Sequence, residues 1–268
     1  MKKIKNPLIR RIPKELIGDW KKYLVVFLFL VLTIGFVSGM YVANESMITS
    51  ANEGVTKYKQ EDGHFELKKQ ADATLLSAIE TGEKADFKAT KTTLYENFFR
   101  NEEEDYNNDG KKDGTIRVFA KTKDINLACM LQGSFPQKAD EIAIDRMHAD
   151  NVGIKVGDTV TVSGETYKVV GLLAYVNYST LHEKTTDLMF DALKFDVAMV
   201  TQDGFDRLHK SIHYTYAWKY ETEPADEAGE KTRSDNFMRA LLTQVVVADN
   251  ELEDYTCLLY TSDAADEL

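Results

Sequence analysis

From Tyr23 to Ala43 the chain reads YLVVFLFLVLTIGFVSGMYVA, 21 residues without a Lys, Arg, His, Asp or Glu. A helix of that length reaches about 31 Å, close to the roughly 30 Å hydrocarbon layer of a bilayer. Lipid offers no partners to a peptide group, so the segment is expected to be helical despite its valines. Thr33 and Ser38 can bond back to carbonyls one turn earlier, and Trp20, Tyr23 and Tyr41 lie near the two ends, where amphipathic rings favour the headgroup layer. A cleaved signal peptide would have a shorter apolar stretch, about 7–15 residues, with small residues before the cut. Tyr41-Val42-Ala43 is a poor cleavage site. The run therefore predicts a permanent membrane anchor.

The polar flank fixes its direction. Residues 1–22 hold eight Lys and Arg against Glu15 and Asp19. Basic residues beside a span remain on the cytoplasmic side, so the N-terminus is expected inside and everything after Ala43 outside. Asn6 to Lys22 mixes Leu8, Ile9, Ile12, Leu16 and Ile17 with cations, a pattern suited to a short amphipathic helix on the inner headgroups of the cell membrane, started or broken by Pro13. The expected organisation is thus a cytoplasmic leader (1–22), a transmembrane helix (23–43) and an extracytoplasmic domain (44–256).

Beyond the span, Asn44 to Lys59 extends the helix as a polar stalk, and Thr74–Ile79 has helical apolar spacing. Thr92–Phe99 fits strand or helix. Glu102–Gly114 reads as a polar loop, followed by a strand at Thr115–Lys121. Glu141–Asp145 is a predicted strand and Arg146–Asn151 a short helix or turn. The clearest local signal is two β-branched runs, Val156–Val162 and Thr166–Gly171, around Ser163-Gly164-Glu165, which predict a β-hairpin. Phe195–Thr201 predicts a strand leading into a helix that ends at Ser211. Asp235–Thr243 predicts a helix, and Gln244–Ala248 a strand. Strands and helices mix without βαβ alternation, so the expected class is α+β.

Composition adds an asymmetry. The chain of 268 residues carries 44 Asp and Glu against 33 Lys and Arg, a formal charge of −11, although its first 22 residues are net positive. An acidic outer segment is soluble, repels anionic headgroups and is no general nucleic-acid footprint. Two cysteines, Cys129 and Cys257, exclude a disulfide-dense scaffold and a four-cysteine zinc site. The string from Cys257 to Glu267, CLLYTSDAADE, resembles the translation of a sequencing-library adapter. Residues 257–268 are accordingly read as a non-native tail, with the natural protein expected to continue past Thr256.

Candidate chemistry is sparse. Asp105-x-Asn107-x-Asp109-Gly110 has the first half of a calcium-loop pattern, oxygen donors at alternate positions and a glycine for the turn. The twelfth position, where a bidentate Glu belongs, is Ile116, so a solvated hairpin loop competes with calcium. His209 and His213 are four apart and, on a helix, would share a face with Asp206. Cys129 lies in an apolar stretch and reads as a small buried hydrophobe. Glu102–Asp105 reads as a solvated acidic run. No G-x-S-x-G, H-E-x-x-H, Walker or G-x-G-x-x-G motif occurs, so an enzyme is not supported.

Several segments together resemble an FtsX-like permease, the membrane subunit of ABC transporters related to MacB. They are the leader pattern R-x-I-P-x-E-L-x-x-x-W-x-K-Y ending at Tyr23, then Gly133-Ser134-Phe135-Pro136 with Glu141-Ile142-Ala143-Ile144, Ile154–Val160, and Tyr167–Gly171. The resemblance implies an outer domain like the MacB periplasmic core domain, further spans, an ABC ATPase partner and a second permease copy forming a dimer. It also implies that ATP-driven helix movement is passed mechanically to the outer domain for export or signalling. Gly35 and Gly39 form a G-x-x-x-G, which would let membrane helices approach closely, although glycine is common in membrane spans in any case. The alternative is a single-span anchored sensor or binding domain for a cationic peptide or calcium.

Overall fold

A computed structural model describes residues 18–81, 91–178, 181–183, 189–222 and 227–257. Residues 6–17 of the expected leader helix (Asn6–Lys22) fall outside these, as does all of the tail beyond Cys257. The chain divides into two units, 1–53 and 54–268.

The apolar run lies in one long helix, α1 (Trp20–Lys57). It has no proline, and the polar stretch after Ala43 continues it to within two residues of the expected end of the stalk. Thr33 Oγ1 donates to the Phe29 carbonyl, 2.8 Å, as expected for a hydroxyl in an apolar helix. Among the described residues, Trp20–Ser46 is the one segment long and apolar enough to cross a membrane, and its apolar side chains are all exposed.

The second unit contains two sheets. The smaller is antiparallel, with β1 (Gly63–Leu67) between β11 (Leu252–Cys257) and β10 (Tyr214–Tyr220), and β2 (Thr92–Glu96) beyond β10. Helices α2 (Ala73–Thr81) and α5 (Glu227–Val247) cover one face. The layer between them is aromatic: Phe65, Tyr216 and Trp218 meet Phe237, Leu241 and Val245 from α5 and Leu75 and Ile79 from α2. The two ends of α5 differ from expectation. The helix begins at Glu227 rather than Asp235 and runs through Gln244–Val247, which the β-branched run had marked as strand. Phe237, Leu241 and Val245 recur every four residues and all pack inward, so the helical period outweighs the strand propensity of the valines.

The larger sheet closes on itself. Its strands are β3 (Phe99–Asp105), β4 (Gly114–Ala120), β5 (Ala128–Gly133), β6 (Glu141–Asp145), β7 (Thr159–Val162), β8 (Glu165–Tyr175) and β9 (Phe195–Val200). The order is β5-β8-β6-β9-β4-β3-β7, and β7 pairs back onto β8. Six strands thus form a small barrel, with β5 appended to the far end of β8. Most neighbours are antiparallel, but β4–β9 and β6–β8 are parallel, so the unit is α+β as expected. Ile116, Val118, Ile142, Ile144, Val160, Val162, Tyr167, Val169, Ala198 and Val200 fill one core. Phe99, Phe119, Ala143, Leu173, Val197 and Met199 form a second on the opposite face, so the middle strands are buried on both sides.

Local chemistry explains the joints. Ser163 (φ 48°) and Gly164 (φ 87°) are both left-handed, the two-residue hairpin turn whose twist suits the flanking strands. Helix α3 (Arg146–Val152) starts where the Asp145 side chain accepts from Met147 N–H, 2.7 Å, and ends at Gly153 in the left-handed region. Helix α4 (Gln202–Asp206) is a single turn, capped by Thr201 and much shorter than the expected helix to Ser211. The main correction concerns Glu102–Asp105. These residues belong to β3, and the loop is only Tyr106–Asp113. Alternation along the strand buries Glu102 and Glu104 while Glu103 faces water.

Candidate metal centre

Three acidic and imidazole side chains converge inside the barrel. Glu104 comes from the end of β3, Asp196 from the start of β9, and His148 from α3, the helix that follows β6. All three are fully buried, and a ligating atom from each lies within 4.8 Å of the other two. Register explains the meeting: Glu104 pairs with Gly114 on β4, and Asp196 pairs with Ile116 two residues along that strand. Both acids therefore point to the same interior face. The Asp145 cap aims the first turn of α3 so that His148 enters from above.

The contacts of each group are specific. His148 Nδ1 lies 2.8 Å from the Ala192 carbonyl oxygen, which can only accept, so Nδ1 carries a hydrogen and Nε2 faces the carboxylates. Nε2 is 3.4 Å from Glu104 Oε2, without hydrogen-bond alignment. Asp196 Oδ1 accepts from Val197 N–H at 2.7 Å and Asp145 N–H at 3.1 Å. Among the described residues, Asp196 Oδ2, both Glu104 carboxylate oxygens and His148 Nε2 have no hydrogen-bond partner. Buried polar atoms are seldom left so.

Electrostatics follows from the geometry. Burial pushes the Asp196 carboxyl well above the usual range, with His148 pulling the other way and the Glu104 charge adding to the rise. Burial acts to lower the His148 pKa, but Asp196 and Glu104 outweigh it, and His148 is pushed up to about 9. A cation is favoured at this point, whether a proton or something larger.

The residues singled out in the sequence lie elsewhere. Asp105, at the end of β3, accepts Asp109 N–H on Oδ1 (3.1 Å) and Gly110 N–H on Oδ2 (2.8 Å). Asn107 Oδ1 accepts Asp109 N–H at 2.9 Å, and Asp109 Oδ1 accepts Lys111 N–H at 2.9 Å. Asn108 ties this loop to the hairpin through the Thr159 carbonyl and the Thr161 hydroxyl, each at 2.8 Å. Ile116, at the twelfth position, is in the core.

His209 and His213 do not share a helix with Asp206, because α4 ends at Asp206. His213 instead stacks on Phe99, centroids 4.6 Å apart, and its Nδ1 is 2.6 Å from Glu66 Oε1. Cys129 is half-buried rather than buried, and its Sγ accepts the Tyr58 hydroxyl at 2.9 Å. The buried triad was missed because its members are far apart in sequence. The available signal was Asp196 at an inward-facing position of Phe195–Val200, a run otherwise fit for a core.

No family model matches the chain, and no curated protein matches it. Solved structures similar to it include the extracellular domain of the noncanonic ABC-type transporter YknZ from Gram-positive bacteria, at 13% identity over 71% of this chain and 100% of that one, TM-score 0.35. Another is the periplasmic region of MacB from Actinobacillus actinomycetemcomitans, at 9% identity over 76% and 94%, TM-score 0.37. A lipoprotein from Bacillus anthracis matches at 9% identity over 73% and 96%, TM-score 0.35. The first two are extracytoplasmic parts of proteins of the kind the sequence segments resemble.

Proposed function

We propose that this chain is the anchored N-terminal part of a permease of an FtsX/MacB-like ABC transporter, with its mixed domain outside the membrane and its leader in the cytoplasm. The observation that carries this reading is the exposed apolar helix Trp20–Ser46. Water would have to solvate that surface, whereas lipid takes it at no such cost. Eight basic residues before the span favour an inside N-terminus. The leader and hairpin segments that resemble the family support the choice among anchored proteins.

In this reading the chain performs no chemistry on a substrate. ATP is hydrolysed by a separate or fused ATPase, and a second permease copy completes the membrane part. An α1 that leaves the bilayer as continuous helix is a stiff element, and a stiff element carries displacement where a loose linker would dissipate it.

The test is the genomic locus read through the position of Thr256. Further apolar spans in frame and an adjoining ATP-binding-cassette gene are expected. A stop codon shortly after Thr256 overturns the permease reading. Topology is tested separately with the chain expressed in membranes: protease outside intact cells should remove the outer domain and spare the leader.

A further inference from the structure

We propose that Glu104, His148 and Asp196 bind one divalent transition-metal ion, zinc by preference, as a structural centre inside the barrel. The site is independent of the transport reading, because it is built entirely within the second unit.

The first support is the set of unpartnered atoms. Among the described residues, both Glu104 oxygens, Asp196 Oδ2 and His148 Nε2 are shielded from water and make no hydrogen bond, and one ligating atom from each of the three residues lies within 4.8 Å of the others. A buried Glu104 carboxylate with no hydrogen bond and an Asp196 carboxylate satisfied on one oxygen only are costly, and a single divalent ion cancels both charges. A proton on His148 Nε2 would be a weaker answer. It can serve one carboxylate oxygen at a time, and the 3.4 Å approach to Glu104 is not aligned for it.

Geometry is the second support. Zinc holds nitrogen and oxygen donors at about 2.0–2.2 Å in a tetrahedron, so neighbouring donors lie about 3.3–3.6 Å apart. Nε2 and Oε2 stand at such a separation, 3.4 Å, and the ligating atoms of the triad all lie within 4.8 Å of one another, so loading needs only a small approach. The outer contacts match as well. A metal-bound histidine commonly donates its other ring N–H to a carbonyl, as Nδ1 does to Ala192. Asp196 Oδ1 is held by two backbone N–H groups, which leaves Oδ2 free to ligate.

The donor set also selects the metal. Calcium takes six to eight oxygen ligands and magnesium keeps several waters, and a dry site with one imidazole and two carboxylates offers neither. Imidazole with carboxylate suits zinc and its neighbours. Glu104 binding through both oxygens supplies a fourth donor, and the short bite of one carboxylate makes the centre a distorted tetrahedron. Strands β3 and β9 and helix α3 are fixed by the core, so the site is preorganised.

The experiment uses the full chain in detergent, purified without a histidine tag and stripped with EDTA. Zinc is titrated by calorimetry and the thermal midpoint followed in parallel, with cobalt as a spectroscopic probe. One equivalent bound, a higher midpoint and intense visible cobalt bands are expected. Asp196→Asn retains the Oδ1 contacts and should weaken zinc at least as much as loss of an outer-shell partner does, about 10–100-fold. Glu104→Gln should do the same. Glu66→Gln, beside His213, should leave the titration unchanged and so separates this centre from surface histidines. Near-UV circular dichroism establishes that each variant is folded. If a variant does not fold, the cobalt spectrum of the wild-type chain decides, since tetrahedral bands require a built site. Absence of tetrahedral cobalt bands from folded wild-type chain, or zinc binding that survives Asp196→Asn, overturns the proposal and leaves an imidazolium between two carboxylates.

Discussion

Glu61 holds His64 at 2.7 Å through Oε1 and Nδ1, three residues apart at the entry to β1. Its other oxygen accepts from Asn126 Nδ2, and Asn177 Nδ2 approaches Oε1 at 3.4 Å. Burial raises the Glu61 pKa, but His64 and the two amides outweigh it and hold the carboxyl below its ordinary 4.5. Burial lowers the His64 pKa, yet Glu61, helped by Asp254 and opposed by Arg117, raises it above 6.5. The glutamate contribution is present above pH 4.5 and is lost as pH falls through its folded value. The histidine contribution is complete below pH 6.5 and is lost as pH rises through its own. The pair should therefore stabilise the second unit most between these pH values. Urea unfolding of wild type and His64→Gln across pH 4–9 measures this: their midpoints should differ most inside the window and converge above it. A difference independent of pH refutes the assignment.

Trp218 is fully buried in the smaller sheet, 4.4 Å from Phe237 and 5.3 Å from Tyr255 between ring centroids. Truncation to alanine removes the contact between sheet and helix, and should destabilise by about 3–5 kcal/mol. The chain has two tryptophans, the other being the exposed Trp20. In a Trp20→Phe background, fluorescence reports Trp218 alone, and its emission should shift to the red on unfolding.

A Cβ built on Gly114 falls 2.5 Å from the Lys194 carbonyl oxygen, a backbone atom that cannot swing away. Gly114→Ala should push β4 from the segment entering β9 and cost about 1–3 kcal/mol, as overpacking does. A thermal melt at unchanged secondary-structure content checks the value. No loss would mean that the two segments separate easily, against the parallel ladder that starts one residue later.

The loop after β3 uses its oxygens on itself. Asp105 and Asn107 cap backbone N–H groups, and the Lys111 ammonium lies 3.4 Å from Asp109 Oδ2. Calcium would have to displace these contacts without help from Ile116. Millimolar calcium is expected to leave the thermal midpoint and the calorimetric baseline unchanged. A saturable heat removed by Asp105→Asn would instead establish the loop as a calcium site.

Much of the second unit was legible because its strands are short, β-branched and punctuated. Thr159–Val162 around Ser163-Gly164, and Phe195–Val200, owe their form to local chemistry that needs no partner to be read. Glu102–Asp105 was not legible for the opposite reason. Four acids in a row signify solvation until donors inside meet them, and the donors to Glu102, the Ser163 hydroxyl and the Lys210 N–H, come from distant segments. The same holds for the triad, whose members acquire meaning only when β3, β9 and α3 are adjacent. Val245–Val247 misled because propensity is a weaker signal than the fourfold spacing from Phe237.

Strand β8 belongs to three ladders at once: Glu165–Lys168 pairs with β7, Lys168–Leu173 with β6 and Gly171–Tyr175 with β5. Sliding it by one residue would turn Tyr167 and Val169 outward and uncouple all three neighbours. The barrel accordingly has little scope for partial assembly, and a chain still being folded leaves Val169-Val170-Gly171-Leu172-Leu173 bare until every neighbour has arrived. That interval, rather than the finished molecule, is where self-association is most to be expected.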